Sequence, residues 1–162
     1  MFLQRLWQKE VDWDQQLSPE LITEWQKLQV QLPLINEINV ERFVLQKGNV
    51  TQIQLHGFSD ASEKAYGACL YIRSINQQGQ VSVKLLCSKS RVAPIKEVTL
   101  PRLELCAALR LAELVHKAIP ALHLQIESIH LWTDSQIVLS WISASPAKWK
   151  TFVGNRVSRI QI

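Results

Sequence analysis

The sequence predicts an α/β domain built on a mixed sheet, with three antiparallel strands, a parallel fourth and helices packed against them. Three observations lead there. First, in TQIQLHGFSDAS (Thr51–Ser62) Ile53, Leu55 and Gly57 alternate with Gln54, His56 and Phe58, the period of two of a strand. Second, two more strand-like runs follow closely, AYGACLYIR (Ala65–Arg73) and VSVKLLCS (Val81–Ser88), joined by Asn76-Gln77-Gln78-Gly79. Tight connections of this kind imply an antiparallel meander. Third, a long helical run separates the meander from a fourth strand, SIHLWT (Ser128–Thr133). A strand reached through a helix is placed beside the first strand and parallel to it.

The remaining elements follow in chain order. Phe2, Leu3, Leu6, Trp7 and Val11 form a helical stripe in residues 2–11. Ser18-Pro19 opens a second helix, with Ser18 as N-cap and Pro19 in the first turn. Its apolar face is Leu21, Trp25, Leu28 and Leu32, and Pro33 ends it. Leu34–Leu45 reads as mixed and extended. Lys47-Gly48-Asn49 reads as a turn, which divides a helical lead-in at 1–49 from a main domain at 50–162. Ser88–Val98 reads as a basic connector. A long helix is expected over Pro101–Ile119, stopped by Pro120, with Leu103, Cys106, Ala107, Leu111, Leu114 and Ala118 on its core face. Ser135–Ile142 is a short helix with Ile137, Val138, Trp141 and Ile142 inward. Ala147–Ile162 starts another, with Phe152, Val153, Val157 and Ile160 at helical spacing.

Composition narrows the function. Apolar residues make up 47% of the 162, enough for a packed core. There is no apolar run long enough to span a membrane, and the polar, acidic N-terminus is unlike a signal peptide. The expectation is therefore an intracellular protein without membrane association, in the cytoplasm first and the nucleus second. Cys69, Cys87 and Cys106 form no CxxC pair, and the four histidines lack metal-ligand spacing. Residues 1–50 hold five Lys/Arg and seven Asp/Glu, whereas residues 51–162 hold thirteen and seven. A basic main domain suits a polyanionic partner.

Three acids stand at informative places. Asp60 ends the first strand and Asp134 follows the fourth directly, so parallel pairing brings both to the same end of the sheet. Glu104 lies in the first turn of the long helix. Each alone has an ordinary explanation: a turn residue, a helix-dipole partner, an N-cap. Together they read as a carboxylate cluster. Clustered carboxylates repel one another and call for divalent cations, and hard oxygen donors suit Mg²⁺ or Mn²⁺. Two such ions about 3.5–4 Å apart are a known device for phosphodiester cleavage. No Gly-rich phosphate loop and no Gly-x-Ser-x-Gly elbow is present.

At three blocks the sequence closely resembles the ribonuclease H domain of retroelement polyproteins: Phe58-Ser59-Asp60-Ala61-Ser62, Leu100-Pro101-Arg102-Leu103-Glu104-Leu105, and Trp132-Thr133-Asp134-Ser135-Gln136. The stretch Val98–Ala108 and the run Ala65-Tyr66-Gly67-Ala68-Cys69-Leu70-Tyr71 resemble the BEL/Pao group of LTR retrotransposons. Residues 1–50 resemble the segment joining reverse transcriptase to the RNase H domain. The resemblance implies an RNase H-like mixed sheet. It implies an endonuclease, a magnesium-dependent hydrolase that cuts the RNA strand of RNA–DNA hybrids during reverse transcription. By resemblance the catalytic and metal-binding residues are Asp60, Glu104 and Asp134, holding two Mg²⁺ or Mn²⁺ ions. Ser135 and Gln136 match positions that approach the substrate, where 2′-hydroxyl contacts can tell RNA from DNA. Lys89, Arg91, Lys96 and Arg102, joined by Lys148 and Lys150, are expected to track phosphates. The implied partners are the hybrid and the reverse transcriptase portion of the same polyprotein.

The family pattern also includes a fifth strand, a last helix and a fourth carboxylate. No Asp occurs after Asp134 and no Glu after Glu127, so the expectation is a C-terminally truncated copy with reduced or absent activity. The alternative is a nucleic-acid-binding or assembly module without catalysis. A transposase or integrase core of the same fold ranks below both. The group's domain also carries a peptidase label, but an aspartic protease half-site needs Asp-Thr/Ser-Gly, and none occurs.

Overall fold

The computed structural model describes residues 2–161, and the chain separates into two compact units, Met1–Glu41 and Arg42–Ile162. Met1 and Ile162, which the sequence reading placed in the lead-in and the last helix, lie outside the described residues.

The first unit holds α1 (Phe2–Gln8), α2 (Pro19–Gln31) and a 3₁₀ turn at Leu32–Glu37. Ser18 takes the extended N-cap conformation with Pro19 in the first turn, although its hydroxyl makes no capping bond. Phe2 stacks on Trp25 with centroids 5.7 Å apart, and Arg5 pairs with Glu24. Of the expected apolar face of α2, Leu21 is buried while Trp25, Leu28 and Leu32 stay partly open. Of the stretch 34–45, read as mixed and extended, residues 34–37 are not extended. Pro33 fits an N-terminal helical position as well as a stop, so the chain tightens into a 3₁₀ turn instead of straightening.

In the second unit β1 (Val50–Ala61), β2 (Ala65–Asn76) and β3 (Val81–Val92) form an antiparallel meander. β4 (Ser128–Trp132) joins β1 in parallel, and the sheet order is β3-β2-β1-β4. The predicted mixed sheet is therefore present. β3 runs on through Val92, so Lys89 and Arg91 lie on a strand and not in a connector. The polar run SKSRV has no buried face to betray a strand. Its backbone is nevertheless held by β2, from Cys69↔Ser88 to Ala65↔Val92. Residues 42–49 belong with this unit, where Val44 and Leu45 pack on the sheet core and Gln46 N–H donates to Ser74 Oγ at 2.7 Å.

α3 (Leu100–Leu122) covers one face of the sheet. Leu111 packs there with Leu55, Ala68, Leu70 and Ile72. On its other side, Leu105 and Ala108 meet Val138 of α4 (Gln136–Ile142) and Val153 and Val157 of α5 (Thr151–Ile160). Serving two layers, α3 buries Leu103, Leu105, Ala107, Ala108, Leu109 and Leu111. Cys106, Leu114 and Ala118, expected on a single core stripe, are only half-buried. Pro120 does not stop α3, which runs on to Leu122 although the proline has no N–H to bond the His116 carbonyl and its ring crowds that oxygen. The helix ends at His123, whose φ of 49° is a left-handed C-cap. Ile137 of α4 is 48% exposed, not inward. Before α5 the chain makes a 3₁₀ turn, Pro146–Lys148, in place of the expected helical start at Ala147. No helix among the described residues is long and apolar enough to cross a membrane.

Candidate active site

β1 and β4 pair in register from Gln54↔Ser128 to Phe58↔Trp132. Asp60 lies two residues beyond Phe58 and Asp134 two beyond Trp132, so both acids stand at the C-terminal ends of neighbouring parallel strands, which run about 4.8 Å apart. The ends are tied together by Ser59, whose buried hydroxyl donates to the Trp132 carbonyl at 3.3 Å. Close seating also depends on Gly57. A Cβ there would lie 2.6 Å from Leu111 Cδ1, 2.8 Å from Leu131 Cδ2 and 2.9 Å from Leu70 Cδ2.

Glu104 reaches the same end from α3. Its Oε2 accepts from Ser135 Oγ at 2.6 Å, and Ser135 follows Asp134 directly. The Ser135 hydroxyl also accepts from Val138 N at 3.3 Å and so caps α4. Ser135, expected to approach the substrate, is therefore buried and engaged, whereas Gln136 is exposed. Asp60 and Asp134 are exposed and Glu104 half-buried. Glu113 pairs with Arg110 at 2.9 Å and with Arg159. No such pair forms at Asp60, Glu104 or Asp134 among the described residues.

The donor set fits a hard divalent cation in kind: three carboxylates without a basic partner, two of them open to solvent. It is not drawn into a cage. Among the described residues no three His, Cys, Asp or Glu side chains lie close enough to hold one ion. Two of the three acids are engaged locally. Asp60 Oδ1 is turned onto the Ala61 N–H at 2.7 Å, and one Glu104 oxygen is taken by Ser135.

The basic residues surround this end unevenly. Lys89 and Asp60 line one hollow of about 330 Å³ with Gly67, Ser88 and Ser90. Arg91 and Lys96 are exposed, on β3 and on the link to α3. Arg102 is exposed on the first turn of α3, its guanidinium 5.1 Å from the Phe152 ring centroid. Lys148 and Lys150 are exposed between α4 and α5. Sequence reasoning missed two things here. Arg156 packs on Phe152 at 3.5 Å and donates to Cys106 Sγ at 3.3 Å, which locks α5 to α3. His56 and His130 stack, although 74 positions apart, and only the strand register brings them together.

Compared with known proteins, the chain matches the model of the Pao retrotransposon-like RNaseH-like domain over residues 1–135. Among solved structures it is similar to RNase H1 from the halophilic archaeon Halobacterium salinarum NRC-1. That match has 16% identity and a TM-score of 0.39, and covers 67% of this chain and 74% of the other. No curated protein matches it. The family match takes in both the helical lead-in and the strands that carry Asp60 and Asp134, and the chain belongs to the Pao retrotransposon RNase H-like family.

Proposed function

We propose that this RNase H-like domain hydrolyses the RNA strand of RNA–DNA hybrids with Mg²⁺ or Mn²⁺, alongside the reverse transcriptase portion of a retroelement polyprotein. The observation that carries this reading is the parallel register of β1 and β4, which sets Asp60 and Asp134 at adjoining strand ends, with Glu104 joined to Ser135 beside them. Asp60, Glu104 and Asp134 would hold the cation. A bound divalent ion supplies an activated water and stabilises the leaving oxygen. The chain's own groups do the rest. Ser135 fixes the direction of Glu104, Ser59 keeps the two strand ends together, and Lys89, Arg91, Lys96 and Arg102 draw in the phosphate backbone.

A second reading has its own support. Asp60 and Glu104 are each satisfied by a local hydrogen bond and do not converge. A domain in that state binds nucleic acid without cutting it. One assay separates the two. The chain is incubated with a hybrid carrying end-labelled RNA, over a range of Mg²⁺ and Mn²⁺. Cleavage of RNA but not DNA, abolished by Asp60→Asn, supports the nuclease. Salt-sensitive binding with an intact RNA strand at every metal concentration supports the binding module.

A further inference from the structure

α3 and α5 meet along a seam that is rich in arginine. On α3, Arg102, Cys106, Arg110 and Glu113 follow one another at helical spacing and share one stripe. Phe152, Arg156 and Arg159 do the same on α5. The two stripes meet in order. The Arg102 guanidinium lies 5.1 Å from the Phe152 ring centroid, Arg156 Nε donates to Cys106 Sγ at 3.3 Å, and Arg159 pairs with Glu113. At the helical rise of about 1.5 Å per residue, the row from Arg102 to Glu113 is about 16 Å long.

The charge along this row does not balance. Its carboxylate, Glu113, already holds Arg110 at 2.9 Å as well as Arg159. α5 contains no acid, and Glu104 is turned to Ser135. Neither Arg102 nor Arg156 pairs with a carboxylate among the described residues. Arg156 is instead fixed by Cys106, by the Phe152 ring at 3.5 Å and by the Phe152 carbonyl, to which Nη1 donates at 2.9 Å. Arg110 lies innermost, its side chain 16% exposed, and offsets Glu113. Arg102 and Arg159 are exposed and Arg156 is half-buried, so their three charges stand in excess at the surface. Arginine keeps that charge at any working pH.

A polyanion is the fitting counter-charge, and three features favour a nucleic-acid backbone. Guanidinium forks match phosphate oxygens. A protein partner calls for an apolar, aromatic centre, yet among the described residues no large apolar side chain of α5 is exposed, and on α3 only Leu100 is. The row also begins two residues from Glu104, at the end of α3 that borders the acid site.

We propose that Arg156 and Arg159 continue the phosphate track of Arg102 along the α3–α5 seam, gripping the backbone of a nucleic-acid strand as it leaves the acid site. This deepens the proposed function by naming where the strand runs beyond the carboxylates. It rests on nucleic acid being the partner and does not depend on cleavage.

The test uses the whole chain and a short RNA–DNA hybrid in EDTA, so that binding is read without cleavage. Fluorescence anisotropy is followed from about 50 to 200 mM salt. Losing one phosphate contact lowers the slope of log affinity against log salt by about 1. Arg159→Gln, which leaves Glu113 paired with Arg110, should bind more weakly at low salt and lose about fourfold less affinity across that range than the parent chain. Arg159→Lys keeps the charge and should stay near the parent. In the unsubstituted chain, the Nε–H NMR signals of Arg156 and Arg159 should move when the hybrid is added. Signals that ignore a bound hybrid would overturn the proposal, and so would a salt slope unchanged in Arg159→Gln. Signals that move with polyglutamate but not with the hybrid would overturn the nucleic-acid assignment in favour of an acidic protein segment. A parent chain that binds and cuts the hybrid with both arginines silent removes the seam and leaves the proposed function standing. A chain that binds through the seam but never cuts RNA removes the nuclease and leaves the seam.

Discussion

Ser135 Oγ donates to Glu104 Oε2 at 2.6 Å while accepting from Val138 N at 3.3 Å. One buried hydroxyl thus fixes the acid on α3, starts α4 and borders Asp134. Ser135→Ala removes the cap and leaves a half-buried carboxylate without its donor. The expected cost is about 1–2 kcal/mol of unfolding free energy, read from urea denaturation. A midpoint unchanged from the parent chain would show that water replaces the hydroxyl at no cost.

Gly57 tests the seating of β1 under α3. An added Cβ would meet three leucine methyls at 2.6–2.9 Å from Leu111, Leu131 and Leu70. Gly57→Ala should therefore destabilise the domain by about 1–3 kcal/mol, the usual cost of overpacking. Pairing it with Leu131→Val, which removes one of the clashing groups at the open edge of β4, should return part of the loss. No recovery would mean that the crowding comes from α3 and β2 alone.

His56 gives a pH dependence with a definite sign. Its folded-state value lies below the ordinary one, through burial, His130 and Arg73 in that order. The unfolded chain then binds the proton more readily than the folded chain. The contribution to stability is full above the ordinary histidine value of about 6.5 and is lost as pH falls through the lowered one. His56→Gln should flatten that part of the curve, measured as denaturation midpoint between about pH 7 and pH 5. An identical slope in the variant would assign the dependence to other groups.

Much of the fold was legible because buried faces leave periodic marks. Leu55 and Gly57 against His56 and Phe58 marked β1, and the helix between meander and fourth strand fixed parallel pairing with β1. The sequence was silent where burial is absent. The end of β3 is held by backbone bonds along a polar run, so SKSRV read as a connector. Pro120 misled, since α3 runs past it to Leu122, whereas α2 does end just before Pro33. α3 packs on two layers: Leu114 and Ala118 of the expected stripe do lie half-buried against the sheet core, while Leu105 and Ala108, which face α4 and α5, fall outside any single stripe. At the candidate site, Asp60, Glu104 and Asp134 could be named from strand ends and a helix start. The Ser135–Glu104 bond could not, since it depends on how α3 and α4 meet.

The central claim is that Asp60 and Asp134 jointly hold a divalent cation, and Mn²⁺ binding followed by electron paramagnetic resonance tests it most directly. Free Mn²⁺ gives a sharp signal that disappears on binding, so occupancy is read without any substrate. The account predicts saturable binding to the chain, weakened by Glu104→Gln and lost in both Asp60→Asn and Asp134→Asn while the fold is retained. Binding equal to that of the parent chain in either aspartate variant, or none at millimolar Mn²⁺ in the parent, would contradict it.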